Sequence, residues 1–249
     1  MPVKRDEIIG YLNDYLKADD FQDGCVNGLQ IEGKENISKV ITGVSLSQRL
    51  IKKAIDKKAD MIIVHHGFFS ESIPSPLQLK GLEKERIKML LCNDINFVGY
   101  HLPLDAHPKI GNNISLAKLF GMKKCEPIYV GFIGELEKEI DFDKFIKLVD
   151  RKLNIKSFVL PYGKKKIKKV GIISGGSSPY FKEVQDAGAD VFIGGDIRED
   201  IVRSIEESRF NFINAGHHNT EKLGVQNLGK LIEKKFKIKT EFVDVPCEV

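Results

Sequence analysis

The chain lacks the features that mark secreted, disulfide-rich or membrane-spanning proteins. It has four cysteines and no tryptophan, and the cysteines show neither a CxxC pair nor a regular spacing. Such scattered cysteines argue against a disulfide framework or a thiolate zinc site and are typical of a reducing compartment. No apolar run approaches the roughly 20 residues that cross a bilayer. The N-terminus mixes acidic and basic residues, unlike a signal peptide. We therefore expect a soluble, cytoplasmic protein without a membrane partner.

The chain also has little excess of one charge sign, because it contains 39 basic and 35 acidic residues. One basic cluster stands out, formed by Lys164, Lys165, Lys166, Lys168 and Lys169. A contact with nucleic acid or phosphate is one interpretation of this cluster. The interpretation we favour is a solvated turn that precedes a strand.

The chain has no Pro- or Ser-rich linker, so a domain boundary is expected at a short turn. Apolar runs alternate with segments of helical periodicity, which is typical of a layered α/β protein. The segment from Gly121 to Pro127 is the best candidate for the boundary. We predict one α/β domain from residues 1–125, completed by residues 225–249, and a second α/β domain from residues 126–224.

The sequence also repeats itself. Residues 39–64 align without gaps on residues 169–194, a shift of 130 positions, and both copies are predicted to form strand, turn, helix and strand. A weaker similarity relates residues 96–106 to residues 211–221. The repeat predicts two related, intertwined α/β halves. Chance similarity between two βαβ units is the alternative.

All six histidines lie in three short segments, each of which ends a predicted strand. The segments are VHHGFF (64–69), YHLPLDAHPKIGNN (100–113) and AGHHNTE (215–221). In α/β sheets, ligands bind beyond the carboxyl ends of the strands. We therefore expect the three segments to contribute to one metal site rather than to hold unrelated structural histidines.

Imidazole and carboxylate side chains dominate these segments. The candidate metal ligands are His65, His66, Asp105, His217 and Glu221. This donor set, without thiolate, suits Zn, Mn, Fe, Co or Ni. Five ligands exceed the four of a tetrahedral ion, so we predict two divalent ions per chain with a bridging carboxylate. Such a pair lowers the pKa of a bound water and orients it, which favours a hydrolytic function.

Other polar residues have competing interpretations. His101 is a candidate general base, or a residue that orients a ligand, and a structural strand-end histidine is the alternative. The SGGSS segment (174–178) is either a phosphate cradle or an ordinary glycine-rich turn. We expect Asn112 and Asn113 to cap the helix that follows Gly111. For His107 and His218, contact with a substrate is one interpretation, and hydrogen bonds within their own loops are the one we favour.

Three motifs in order, HHGFF, YHLPLDAH with the following GNN, and GHHNTE, strongly resemble the signatures of the Nif-three-like family. Its members often carry the name GTP cyclohydrolase 1 type 2. The resemblance covers essentially the whole chain, including NGLQIEG (27–33), and matches the short form of the family. It implies a two-domain α/β fold with a dinuclear metal site between the domains, and a ring-shaped homohexamer whose sites face an inner cavity. Carried over by motif, the ligands are the same five residues.

The leading functional hypothesis is a metal-dependent hydrolase that acts on a small nucleotide-like or phosphorylated substrate. The GTP cyclohydrolase name implies attack of water on the imidazole ring carbon of a purine, with release of formate. A dinuclear phosphoesterase with the same ions is one alternative. The other is a non-catalytic scaffold or regulator that binds metal structurally and contacts nucleic acid or proteins. An open coordination position favours an enzyme, and complete ligation by protein favours a structural role.

Overall fold

The computed structural model describes residues 1–70 and 78–247, which form two compact units. Unit 1 consists of Met1–Leu104 and Gly224–Pro246, and unit 2 contains Asp105–Leu223. The chain therefore leaves unit 1 once and later returns to complete it. Among the described residues, no helix has the length and apolarity needed to cross a membrane.

Unit 1 is built on a mixed sheet with flanking helices. Its strands are β1 (Val3–Lys4), β2 (Gly28–Ile31), β3 (Asn36–Ile37), β4 (Lys39–Ser45), β5 (Met61–His66), β6 (Asn96–Gly99) and β13 (Lys239–Phe242). Its helices are α1 (Arg5–Leu16), α2 (Gln48–Asp56) and α3 (Gly81–Cys92), with a 3-10 turn at Ala18–Asp20. Two further helices, α4 (Leu102–Ala106) and α10 (Lys222–Phe236), contain the points at which the chain passes from one unit to the other.

Within the described residues, the main sheet of unit 1 has the strand order β13-β4-β5-β6-β2. All neighbours in it are parallel except β2, which runs antiparallel to β6. The β5 strand is apolar from Met61 to Val64 and buried along that length, as expected for a central parallel strand covered on both faces. The connection from β4 to β5 is α2, which begins where the Ser47 hydroxyl accepts a hydrogen bond from Leu50 N (3.1 Å).

Unit 2 contains a second mixed sheet, with the order β7-β8-β10-β11-β12-β9 among the described residues. Its strands are β7 (Lys123–Ile128), β8 (Gly131–Asp141), β9 (Phe158–Pro161), β10 (Lys166–Ile172), β11 (Val191–Gly194) and β12 (Asn211–Asn214). Its helices are α5 (Asn112–Leu119), α6 (Phe142–Leu153), α7 (Phe181–Asp186), α8 (Glu199–Glu207) and α9 (His217–Thr220), with a 3-10 turn at Ser178–Tyr180. The predicted boundary segment, Gly121 to Pro127, lies inside this unit, in the turn after α5 and in β7.

The two units are similar halves, as the internal repeat predicts. In unit 1 the parallel strands β4, β5 and β6 are adjacent, and in unit 2 the same is true of β10, β11 and β12. The strand registers also correspond, because β5 and β6 pair from Met61 opposite Asn96, and β11 and β12 pair from Val191 opposite Asn211. The mixed α/β fold with related halves is thereby confirmed.

A buried asparagine fixes this arrangement in unit 1. The Asn96 side chain accepts a hydrogen bond from Gly33 N (2.9 Å) and donates to the carbonyl oxygens of Lys34 (2.8 Å) and Asp60 (3.1 Å). The Asp60 carboxylate in turn bonds to Lys34 Nζ at 2.8 Å. The Asn96 side chain thus connects its own strand, β6, to the segment that contains Gly33 and Lys34 and to Asp60.

The same set of bonds recurs in unit 2 around Asn211. Its side chain accepts from Gly163 N (2.9 Å) and donates to the carbonyl oxygens of Lys164 (2.9 Å) and Asp190 (3.2 Å). Lys164 Nζ bonds to the Asp190 carboxylate at 2.6 Å, and this ion pair corresponds to that of Lys34 with Asp60. The basic cluster therefore begins within a structural turn before β10, and Lys164 has a defined role there.

Replacing either asparagine by alanine should destabilise the protein. Asn96→Ala and Asn211→Ala each remove three hydrogen bonds that a buried side chain makes to the backbone, which costs about 1–3 kcal/mol of unfolding free energy. Denaturant unfolding measures the loss, and the exposed Asn36→Ala in β3 is the matched control. Unfolding of both variants at the midpoint of the control would show that these bonds are dispensable.

Candidate metal centre

The β5 strand delivers two adjacent histidines to the carboxyl edge of the sheet in unit 1. His65 is fully buried, and its Nδ1 lies 2.9 Å from the carbonyl oxygen of Tyr100. Because a carbonyl only accepts, Nδ1 carries the hydrogen and the lone pair of the neutral ring is on Nε2. A backbone carbonyl that fixes the tautomer in this way is the usual support of a metal-binding histidine. His66, the next residue, is half-buried.

His101 follows β6 and is held by an aspartate. Its Nδ1 lies 2.8 Å from Asp23 Oδ1, and its backbone N–H donates to Asn27 Oδ1 at 2.8 Å. The second Asp23 oxygen accepts from Leu102 N at 2.9 Å. Asp23 lies in an irregular segment where no periodicity or histidine motif draws attention, so sequence reasoning missed it. The only signal near it was the NGLQIEG motif, which begins four residues later.

The environment of Asp23 keeps its carboxyl group ionised. Burial alone raises its pKa, but hydrogen bonds from His101, Asn27 and the Leu102 N–H, together with the charge of a protonated His101, outweigh burial and lower the pKa to about 2. Asp23 is therefore an anion at neutral pH. Such an anion holds the hydrogen of the neutral imidazole on Nδ1 and stabilises the protonated ring.

The three histidines of unit 1 come together. One ring nitrogen from each of His65, His66 and His101 lies within 4.8 Å of the other two, a spacing that could hold a metal ion. The ring centroids are 4.5 Å apart for His65 and His66, and 4.9 Å apart for His65 and His101. His101, for which sequence reasoning considered only a base or an orienting role, is thus also a candidate ligand.

In unit 2, the buried carboxylate of Asp105 accepts hydrogen bonds from Asn112 and Ser174. Asn112 Nδ2 and Ser174 Oγ both bond to its Oδ1, at 2.8 and 2.9 Å. The expectation that Asn112 and Asn113 cap α5 is wrong. The N-cap is Gly111, which has no side chain to bond, and Asn112 turns instead to Asp105. Asn113 bridges two other segments, because it donates to Val130 O (2.9 Å) and accepts from Ser174 N (2.7 Å).

His217 and Glu221 are adjacent in space as well as four apart in sequence. His217 begins the single-turn helix α9, and Glu221 is the residue that ends it. His217 Nε2 lies 3.2 Å from Glu221 Oε1. Glu221 is buried, whereas His217 is half-buried. The spacing predicted a shared helical face, and the structure brings the two side chains into contact.

The glycine-rich segment 174–178 packs against these carboxylates. Gly175 has a φ of 63°, and a Cβ at this position would collide with Glu221 Oε1. Glycine is therefore required both by the backbone conformation and by the close approach of the glutamate. With Ser174 bonded to Asp105, the segment acts as a support for two candidate ligands.

His107 and His218 are the two histidines that remain. His107 Nδ1 accepts from the backbone N–H groups of Lys109 (3.2 Å) and Ile110 (3.3 Å), so it bonds within its loop as expected. His218 is buried beside His217.

The donor chemistry of both units fits a divalent transition metal. Unit 1 offers imidazole nitrogens whose tautomers are set by Tyr100 and Asp23, and unit 2 offers an imidazole and two buried carboxylates. Nitrogen and oxygen donors held by a surrounding set of hydrogen bonds are what such ions require. The chain therefore contains histidine and carboxylate groups that could hold metal.

Comparisons with known proteins show the family to which the chain belongs. Residues 3–247 match the family model of Duf34/NIF3 (NGG1p interacting factor 3). A Haemophilus influenzae protein named GTP cyclohydrolase 1 type 2 homolog is 40% identical over 245 residues, covering 96% of this chain and 97% of that protein. A protein of the same name from Pyrococcus abyssi is 37% identical over 252 residues, covering 98% and 99%.

Solved structures give the same result. The protein ybgI, described as being of unknown function, superposes with a TM-score of 0.95 at 33% identity, covering 99% of this chain and 100% of that one. A protein from Thermus thermophilus has a TM-score of 0.93 at 32% identity, with the same coverage. The chain belongs to the DUF34/NIF3 family, and its curated relatives carry the name GTP cyclohydrolase 1 type 2 homolog.

The support of Asp105 can be tested through stability. Ser174→Ala removes a hydrogen-bond donor to a buried carboxylate oxygen and should lower the unfolding free energy by about 1–3 kcal/mol. Chemical denaturation gives the value, and Ser208→Ala, an exposed serine of the same unit, is the control. Equal stability of the two variants would mean that the Ser174 hydroxyl does not support Asp105.

Proposed function

We propose that this protein is a hydrolase that depends on two divalent metal ions and acts on a small nucleotide-like substrate. The ligands in this proposal are His65, His66, Asp105, His217 and Glu221. The observation that carries it is that candidate metal ligands in each unit are held by defined polar contacts. His65 bonds to Tyr100, Asp105 bonds to Asn112, and His217 contacts Glu221. The name shared by the curated relatives supports a hydrolytic role.

Glu221 is the residue that we assign as the bridge between the two ions. A carboxylate offers two oxygens, whereas an imidazole offers one nitrogen to a metal. Glu221 is only 2% exposed, so its negative charge is concentrated in a poorly solvated place. Two divalent cations would compensate that charge and the charge of Asp105.

When bound, the ions would activate a water molecule and stabilise negative charge that develops on the substrate. The chain supplies the proton acceptor. His101 Nε2 would take the proton, because Nδ1 is held by the anionic Asp23. Asp23 then stabilises the positive imidazole that results, the role that an aspartate has behind a catalytic histidine.

A cavity in unit 2 supports a nucleotide-like substrate. It has a volume of about 190 Å³ and opens at the end of β12, where Gly216 precedes His217. Phe158, which is 53% exposed, is one of its lining residues, and its polar lining includes the amides of Asn214 and Asn219 and the cation of Lys156. A flat ring can stack on the phenylalanine while its polar edge meets the amides. This lining favours a heterocyclic substrate over a simple phosphate ester.

The alternatives share the metal-binding residues and differ in what they bind. A dinuclear phosphoesterase would need the same ions with a phosphate ester as substrate. A scaffold or regulator that contacts nucleic acid or protein would bind metal without turnover. The cavity that Gly216 and Asn219 help to line supports the hydrolase, because a structural metal site has no need of a substrate pocket.

Metal content is the first test. Protein reconstituted without chelator should carry close to two divalent ions per chain by elemental analysis. Glu221→Gln keeps the shape of the side chain but removes its charge, so this variant should lose at least one ion while its thermal unfolding shows an intact fold. If Glu221→Gln binds both ions with wild-type affinity, Glu221 does not bridge them. If the reconstituted wild type carries only trace metal, the dinuclear site is ruled out.

Turnover is the second test. Metal-loaded protein is incubated with a panel of purine and pyrimidine nucleotides and simple phosphate esters, and Asp105→Ala serves as the inactive control. We expect the wild type to convert a nucleotide. In Phe158→Ala the KM for that nucleotide should rise about tenfold, because stacking contributes roughly 1–3 kcal/mol per base. Tyr162→Ala, which removes another exposed aromatic ring of the same unit, should leave KM unchanged. Activity on phosphate esters alone would favour the phosphoesterase.

We also propose the closed homohexamer that family membership suggests. Cyclic assembly is an ordinary product of symmetric association. Light scattering at micromolar concentration should give the mass of six chains, and a monomer would refute the ring.

A further inference from the structure

A further group of possible metal ligands in unit 1 contains a cysteine. A carboxylate oxygen of Asp23, the Sγ of Cys25 and a ring nitrogen of His101 all lie within 4.8 Å of one another. All three residues belong to unit 1, so one unit supplies the whole group. The spacing of the cysteines gave no indication of it, because the histidine comes from a distant part of the chain.

The contacts of Asp23 show where an ion would enter this group. Its Oδ1 accepts a hydrogen bond from Cys25 N at 3.0 Å and lies 2.8 Å from His101 Nδ1. Its Oδ2 accepts from Asn27 Nδ2 at 3.0 Å and from Leu102 N at 2.9 Å, so the carboxylate is held in place. Asp23 is buried, whereas Cys25 and His101 are half-buried, so solvent reaches the group through these two residues.

The three donors together suit a borderline-soft divalent ion. Zn²⁺ binds cysteine sulfur, histidine nitrogen and carboxylate oxygen, most often with four ligands in all. The negative charges of Asp23 and of a Cys25 thiolate would balance the two positive charges of the ion, and water would fill the fourth position. Binding would release the proton of the Cys25 thiol to solvent.

We propose that Asp23, Cys25 and His101 form an inhibitory site for Zn²⁺, in addition to the two ions of the proposed function. The ion takes the place of the hydrogen between Asp23 Oδ1 and His101 Nδ1. A neutral imidazole that binds metal through Nδ1 carries its hydrogen on Nε2. His101 then has no lone pair with which to accept a proton from water. The inhibitory effect rests on the proposed function, in which His101 is the proton acceptor, whereas metal binding by the three residues does not.

Cobalt spectroscopy tests the site without any turnover. Metal-free protein is titrated with Co²⁺ alone beyond two equivalents, and the thiolate-to-cobalt charge-transfer absorption in the near ultraviolet is followed. Imidazole and carboxylate ligands give no such band, so the two ions of the proposed function do not contribute to it. We expect the band in the wild type and its loss in Cys25→Ser. Cys92→Ser, which changes an exposed cysteine of the same unit, is the matched control and should keep the band.

Inhibition by zinc tests the consequence for His101. Metal-loaded protein is assayed at rising Zn²⁺ concentration, and each variant is compared with its own rate before the addition. The Zn²⁺ concentration that halves the rate should rise at least about tenfold in Cys25→Ser, because loss of even a supporting residue weakens a metal site by that factor. Cys92→Ser should be inhibited as the wild type is.

The outcomes separate this inference from the proposed function. A cobalt band that is absent from the wild type, or retained in Cys25→Ser, would overturn the site and leave the hydrolase proposal standing. A band without inhibition of an active enzyme would overturn the inhibitory role. If no substrate turns over, the inhibitory role falls with the hydrolase, and the band still decides whether the three residues bind metal. Circular dichroism verifies folding, and if Cys25→Ser does not fold, Cys25→Ala is judged by the same criteria.

Discussion

The parallel pairing of the two central strands in each unit is the constraint on which the candidate site depends. In unit 1, the register that sets Met61 opposite Asn96 makes β5 and β6 end at the same edge of the sheet. This common edge brings together His65 and His66, at the end of β5, and His101, which follows β6. Because side chains alternate along a strand, a shift of one residue would turn His65 out of its buried position. The hydrogen bonds of Asn96 hold this register.

A large part of the fold was predictable from the sequence, because the signals were periodic or repeated. The apolar run of β5 is a buried strand, and the weaker similarity between residues 96–106 and 211–221 corresponds to matching bonds around Asn96 and Asn211. The contact of His217 with Glu221 followed from their spacing. Each of these features depends on local sequence or on a comparison of the chain with itself, which requires no knowledge of tertiary contacts.

The polar residues that support the site were not predictable in this way. Asn112 stands in the first turn of a helix, where an amide commonly caps, yet its partner is Asp105, seven residues earlier. Asp23 meets His101 across 78 positions of sequence. Nothing in composition or spacing distinguishes such residues from other asparagines and aspartates, because their role exists only once distant segments are brought together. If the Ser174 variant is destabilised as expected, the same reason explains why the sequence offered only a phosphate cradle or an ordinary glycine-rich turn for that serine.

The two units share a plan but have diverged at the positions that matter for chemistry. Gly195 is the counterpart of His65, and a Cβ there would lie 2.7 Å from the backbone of Gly175. A histidine therefore cannot occupy this position in unit 2 unless the glycine-rich segment that supports Asp105 and Glu221 moves away. Donors in unit 2 must come from elsewhere, and α9 provides them in His217 and at its end in Glu221. The asymmetry of the candidate ligands thus follows from the packing of one loop against one strand end.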